Sequence, residues 1–208
     1  MFSVDIILAF ITASTLLAFA PGPDNIFVLT QSAMNGPRAG ILITLGLCTG
    51  LIVHTLAVAA GVAAIFQVSA MAFTALKVVG AAYLLYLAWG AFRADAQAID
   101  TENGRRLSNA AFYRRGIIMN ITNPKVAIFF LAFLPQFTHP ETANVSLQVF
   151  ALGAVFMLVS LLCFSLIAML SGALSQLLRR SPEAQTRLNR LAGGVFAILA
   201  VKLVTSER

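Results

Sequence analysis

Apolar residues run along this chain in long unbroken stretches, not in the alternating or one-faced patterns of a soluble domain. The stretches fall at about 4–34, 39–66, 69–92, 116–138, 146–178 and 190–205. A helix crossing a hydrocarbon core of about 30 Å needs about 20 residues. The pattern therefore predicts six membrane spans, short connections and no soluble domain of useful size. Residues 4–34 as one straight helix would reach about 46 Å at 1.5 Å per residue, well beyond that thickness. This stretch holds Pro21-Gly22-Pro23-Asp24-Asn25, so a broken, tilted or bent first span is expected. The fourth stretch holds a second interruption, Asn120-Ile121-Thr122-Asn123-Pro124-Lys125.

Composition narrows the class. Of 208 residues, 59% are hydrophobic and 11% charged, against about 25% charged in soluble domains. Mean hydropathy is +0.88. Soluble and disordered chains are excluded, and the fold class is an all-α integral membrane protein. Ala18-Phe19-Ala20 mimics a signal-peptidase site, but Pro21 would follow the cut and the opening residues carry Asp5 with no Lys or Arg. A signal peptide has a positive start, so the first span is expected to be retained.

Charge sets the orientation. The net charge of +6 reads as a topology signal and not as a nucleic-acid surface. Arg38, Arg93, Arg105, Arg106, Arg114, Arg115, Arg179, Arg180, Arg187 and Arg190 all fall on one side of a six-span arrangement. Positive-inside orientation puts that side in the cytoplasm and both termini outside it, periplasmic in a bacterial inner membrane. Residues 93–115 read as a cytoplasmic linker between halves 1–92 and 116–208, with contact to membrane lipids as an alternative role for its arginines.

The halves resemble each other weakly. Each opens on a proline-broken span. Leu45-Gly46 matches Leu152-Gly153, and Val79-Gly80-Ala81-Ala82 matches Ala192-Gly193-Gly194. Three spans per half would make the repeat inverted, and proline- or glycine-interrupted spans at matching positions point to a substrate site near the midplane. Measured from Pro37, Asp24 lies about 20 Å deep along a helix, and Asn123 lies about 12 Å from Arg115. The two breaks are expected to meet.

The chemistry follows from the breaks. Pro21, Pro23 and Pro124 leave carbonyls unpaired, which protein, water or ligand must satisfy in lipid. Gly22 is expected in a conformation that other residues resist. The helix restarting after Pro23 offers free N–H groups to a carboxylate, and Asn25 adds a donor and an acceptor. Asp24 is the one acid left inside the membrane, where burial is costly. It has four open roles: binding an ammonium, carrying a proton, pairing with Lys125, or capping the helix after Pro23. Lys125 has three: pairing with Asp24, holding a substrate carboxylate, or snorkelling to the interface. Asn120 and Asn123 accompany it. Weaker candidates are His54, spaced with Gly46 and Gly50 on one helix face, Lys77 near the outer edge, and Tyr83 and Tyr86, which line a cavity or anchor at an interface. Cys48 and Cys163 read as small buried hydrophobes. No metal-ligand cluster, phosphate loop or nucleophile elbow is present in the sequence, so no enzyme activity, cofactor or metal is expected.

Three segments carry a family resemblance: Pro21–Asn25, Lys77–Tyr86 (KVVGAAYLLY) and Gly116–Pro135 (GIIMNITNPKVAIFFLAFLP). In order and spacing they resemble the lysine exporter and homoserine/threonine exporter superfamily, the LysE/RhtB-type translocators, over essentially the whole chain. The resemblance implies a bacterial inner-membrane exporter of amino acids or related metabolites, driven by protons, and a homodimer. The residues themselves suggest alternating access, with Asp24 taking the substrate ammonium or the coupling proton. Lys125, Asn25, Asn123 and the helix end after Pro23 would hold the carboxylate. A passive channel or lipid-handling protein, and a membrane assembly factor, are the competing readings.

Overall fold

The computed structural model describes residues 2–68, 70–94, 107–139 and 144–205. Among them every regular element is helical. Most of the expected linker, 95–106, lies outside the described residues.

The first stretch divides into α1 (Val4–Phe19) and α2 (Pro23–Asn35), bent 60° at the Pro21-Gly22 break. Ser3 caps α1 by accepting from Ile6 N–H at 3.4 Å. Gly36, at φ 87°, ends α2 in the left-handed region that side chains resist. Pro37 then opens α3 (Pro37–Val68), followed by α4 (Ala70–Arg93).

The second broken span is α5 (Asn109–Thr122) and α6 (Pro124–Ile128), continued by a π-helical turn (Phe129–Phe133) and a 3-10 turn (Leu134–Phe137). The bend is 51°. Pro135 lacks the N–H that would reach back to Leu131, so a regular α-helix cannot run through it. α5 starts before the expected residue 116, because Ser108 caps it by accepting from Ala111 N–H at 3.2 Å. Arg114 and Arg115 therefore ride on the helix, and Arg115 sits 4.8 Å over the Phe27 ring.

The fifth stretch is also divided, into α7 (Val145–Met169) and α8 (Ser171–Arg180), with Leu170 leaving helical geometry at ψ 5°. The expected continuous span 146–178 is thus corrected. α9 (Pro182–Thr205) begins earlier than the expected residue 190, because Pro182 suits a first turn and Ser181 Oγ accepts from Ala184 N–H at 3.1 Å. Among the described residues four helices, α3, α4, α7 and α9, are long and apolar enough to cross a membrane. The number rises to six when each bent pair is taken as one span, as the hydrophobic pattern expects.

Packing places the breaks centrally. α3 lies against α5 and α7, and α4 against α9. At the α3–α5 crossing, a Cβ on Gly46 or Gly116 would run into backbone of the opposite helix, at Tyr113 O and Ile43 O respectively. One apolar core is aromatic, built on Phe10, Phe129, Phe130, Phe133, Phe156 and Phe196. A second gathers Val28, Ile43, Leu47, Phe112 and Phe164. The two breaks lie among these helices.

Candidate functional site

A helix that stops inside a membrane leaves the carbonyls of its last turn without N–H partners. α1 stops at Phe19. Lys125 Nζ donates to Leu17 O at 3.3 Å and to Ala20 O at 2.9 Å. Asn25 Nδ2 donates to Ala18 O at 2.6 Å. A lysine from the second half therefore caps the broken helix of the first.

The second break is held in return. Asn123 is extended at φ −78°, ψ 108° and caps α6, its Oδ1 accepting from Lys125 N–H at 3.0 Å. Its Nδ2 donates to Asp24 Oδ2 at 2.8 Å. Asn120 O, freed at the end of α5, accepts from Asn123 N–H at 3.1 Å and from His54 Nε2–H at 3.1 Å. The expected meeting of the two breaks is what the structure builds.

Asp24 and Lys125 are 2% and 6% exposed, so neither reaches an interface. Snorkelling by Lys125 is excluded. Among the described residues no ion pair joins Asp24 to Lys125; Asp24 binds an amide and Lys125 binds carbonyls. Nor does Asp24 cap α2. The capping position is Gly22, without a side-chain bond, and Asp24 lies in the first turn, where the helix dipole favours an anion. Gly22 itself is extended, at φ −173° and ψ 177°, which any residue adopts. Its requirement is space, since a Cβ there would sit 3.0 Å from Lys125 Nζ.

Two cavities meet these residues. One is a groove of about 1190 Å³, floored by Pro21, Gly22, Pro23, Asn25, Asn123, Pro124 and Lys125. Tyr83 and Tyr86 of α4 form one wall, with ring centroids 6.0 Å apart. The groove extends to Ala94, Gln185 and Asn189. The other is a small cavity of about 20 Å³ lined by Asp24, Asn120, Lys125 and Ser160 and otherwise walled by apolar side chains. Lys125 is the one residue that lines both. Asp24 Oδ1, Asn25 Oδ1 and Asn120 Oδ1 are buried without a hydrogen-bond partner.

All of the stronger candidates from the sequence thus gather around the two breaks. Tyr83 and Tyr86 take the cavity-lining alternative, although Tyr86 is 68% exposed. His54 acts through Asn120 and lines neither cavity, and Lys77, half-buried on α4, is likewise away from both. Ser160, Gln185 and Asn189 escape the sequence reading. Ser160 is a single hydroxyl in an apolar run, and the other two fall in a stretch read as a connection.

The sequence model of the family described as LysE type translocator matches residues 15–207. The chain belongs to the LysE type translocator family. It is 32% identical over 200 residues to an uncharacterized membrane protein of Vibrio cholerae, covering 96% of this chain and 97% of that one. It is 32% identical to the homoserine/homoserine lactone efflux protein of Salmonella typhimurium, with 96% of each chain covered, and equally so to that of Salmonella typhi. No solved structure matches. In this LysE-type chain the site just described spans the two signature breaks. The family is one of translocators and not of enzymes.

Proposed function

We propose that this LysE-type protein is a secondary transporter exporting amino acids or closely related metabolites, homoserine-like compounds among them, across the bacterial inner membrane. One observation carries the reading. The proline breaks of two separate spans converge on a buried acid and a buried lysine, and the lysine lines the floor of an open groove. A buried acid and a buried lysine in a membrane interior are costly and mark a substrate or proton path. The relatives named as efflux proteins for homoserine and its lactone support the same substrate class.

The groove reaches Ala94, Gln185 and Asn189, which neighbour in sequence the arginines taken to mark the cytoplasmic face. The cycle then starts from an inward-open state. Substrate enters along Tyr83 and Tyr86, and its carboxylate meets Lys125 and the start of α2. Asp24 binds either the substrate ammonium or a proton, and this competition produces proton antiport. Both termini are periplasmic, the two halves act as an inverted repeat, and the transporter works as a homodimer in contact with membrane lipids.

The test is a growth-inhibition screen. Cells expressing the protein are challenged with amino acids, lactones and toxic analogues, and export of each rescuing compound is then measured with and without an uncoupler. Rescue by homoserine-like compounds and loss of export on uncoupling are expected. Uncoupler-insensitive flux that saturates only at high concentration would identify a passive channel instead.

A further inference from the structure

We propose that the small cavity lined by Lys125, Asp24 and Asn120 seats the primary ammonium group of the substrate, with Asn120 as a specificity-determining residue. The proposal rests on the exporter reading and assigns the two ends of the substrate to different compartments.

The unmet groups at the breaks are all acceptors. Asn25 has spent its amide nitrogen on Ala18 O, leaving Oδ1. Asp24 has given Oδ2 to Asn123, leaving Oδ1. Asn120 Oδ1 is the third. Asn123 holds Asp24 with one N–H of its amide and caps α6 with its oxygen, so its second N–H is left for the groove side. Buried acceptors without donors are costly to leave unmet. A primary ammonium carries a positive charge and three N–H donors, which is what a carboxylate oxygen and an amide oxygen around one small cavity lack. A carboxylate placed there would add further acceptors and like charge. Asn120 therefore belongs with the ammonium beside Asp24, and the carboxylate stays on the groove side, where Asn25 lies.

Lys125 separates the two compartments, being the residue common to both linings. Its ammonium is held by two neutral carbonyls, Leu17 O and Ala20 O. A carboxylate arriving in the groove is a stronger partner than a neutral carbonyl. Drawing Lys125 toward it uncovers Asp24 and Asn120 for the nitrogen on the adjacent carbon. An N-acylated analogue keeps the carboxylate but offers one N–H, no charge and added bulk, so it fails at the second step.

The experiment uses everted membrane vesicles carrying the full chain, with labelled L-homoserine as substrate and unlabelled L-homoserine or N-acetyl-L-homoserine as competitor. A site built to bind donors rejects an analogue lacking them strongly. N-acetyl-L-homoserine is expected to compete at least ~10-fold more weakly than L-homoserine. Asn120→Ala, which keeps the main-chain carbonyl that His54 holds, is expected to narrow that ratio by weakening L-homoserine. Asn120→Asp, which keeps an acceptor oxygen, is expected to retain it. Equal competition by the two compounds in the unmodified protein, or an unchanged ratio in Asn120→Ala, overturns the proposal while leaving export intact. Failure of the unmodified protein to move homoserine, its lactone or any amino acid in the screen overturns the exporter reading, and this proposal with it.

Discussion

At the residue scale the site is a problem in helix termination. Two helices stop inside the membrane, and their last carbonyls must find donors. Lys125 and Asn25 serve the first, His54 serves the second, and Asn123 ties the restarting helix to Asp24. The sequence marks Asp24 and Lys125 because charged residues are scarce and these two lie beside prolines. It does not tell which partners they choose, since that depends on which carbonyls the break frees. The same holds for Asn25 and Asn123, whose amide ends are assigned only by their neighbours. Lys125→Met removes two carbonyl contacts but also the cost of burying an ammonium, and these terms offset each other in stability. Losing a charge-assisted contact to the substrate carboxylate, worth about 1.5–3 kcal/mol, corresponds to roughly a tenfold to hundredfold loss. Efflux of labelled homoserine by Lys125→Met cells is expected to fall by that factor at unchanged membrane abundance, quantified by immunoblot.

At the element scale, the bends of 60° and 51° follow from Pro21, Pro23 and Pro124, and the π-helical turn after α6 follows from Pro135. Those interruptions are legible because proline acts through its own backbone. The break between α7 and α8 at Leu170 has no such local signal, and the hydrophobic run passes through it unmarked. The early start of α9 is signalled by Ser181-Pro182, but hydropathy alone hides it because the first turns carry Glu183, Arg187 and Arg190. The α3–α5 crossing depends on Gly46 facing Gly116 at backbone distance. Gly46→Leu forces the two helices apart, and overpacking of this kind costs about 1–3 kcal/mol. A lower unfolding midpoint in detergent is expected, together with reduced efflux, because α5 carries Asn120 into the site. An unchanged midpoint would mean that the crossing is looser than the structure describes.

At the scale of the whole molecule, an apolar fraction of 59% dictates a membrane protein, and the arginines suggest its orientation. The multi-span architecture was legible because hydrophobic length is set by bilayer thickness, with four of the described helices long enough on their own and up to six spans when the bent pairs are included. The groove was not, since its lining is gathered from α2, from α4 and from α7, α8 and α9, parts of the chain far apart in sequence. Alkaline phosphatase fused after Thr205 is expected to be active, and fused after Ala94 inactive; the reverse pattern would invert the groove and the direction of transport inferred from it. The central claim is that the meeting of two broken helices at Asp24 performs export. It is tested most directly by efflux of labelled homoserine from loaded cells carrying Asp24→Asn at normal membrane abundance. The account predicts export near the background of cells without the protein, and normal efflux by this variant would contradict it.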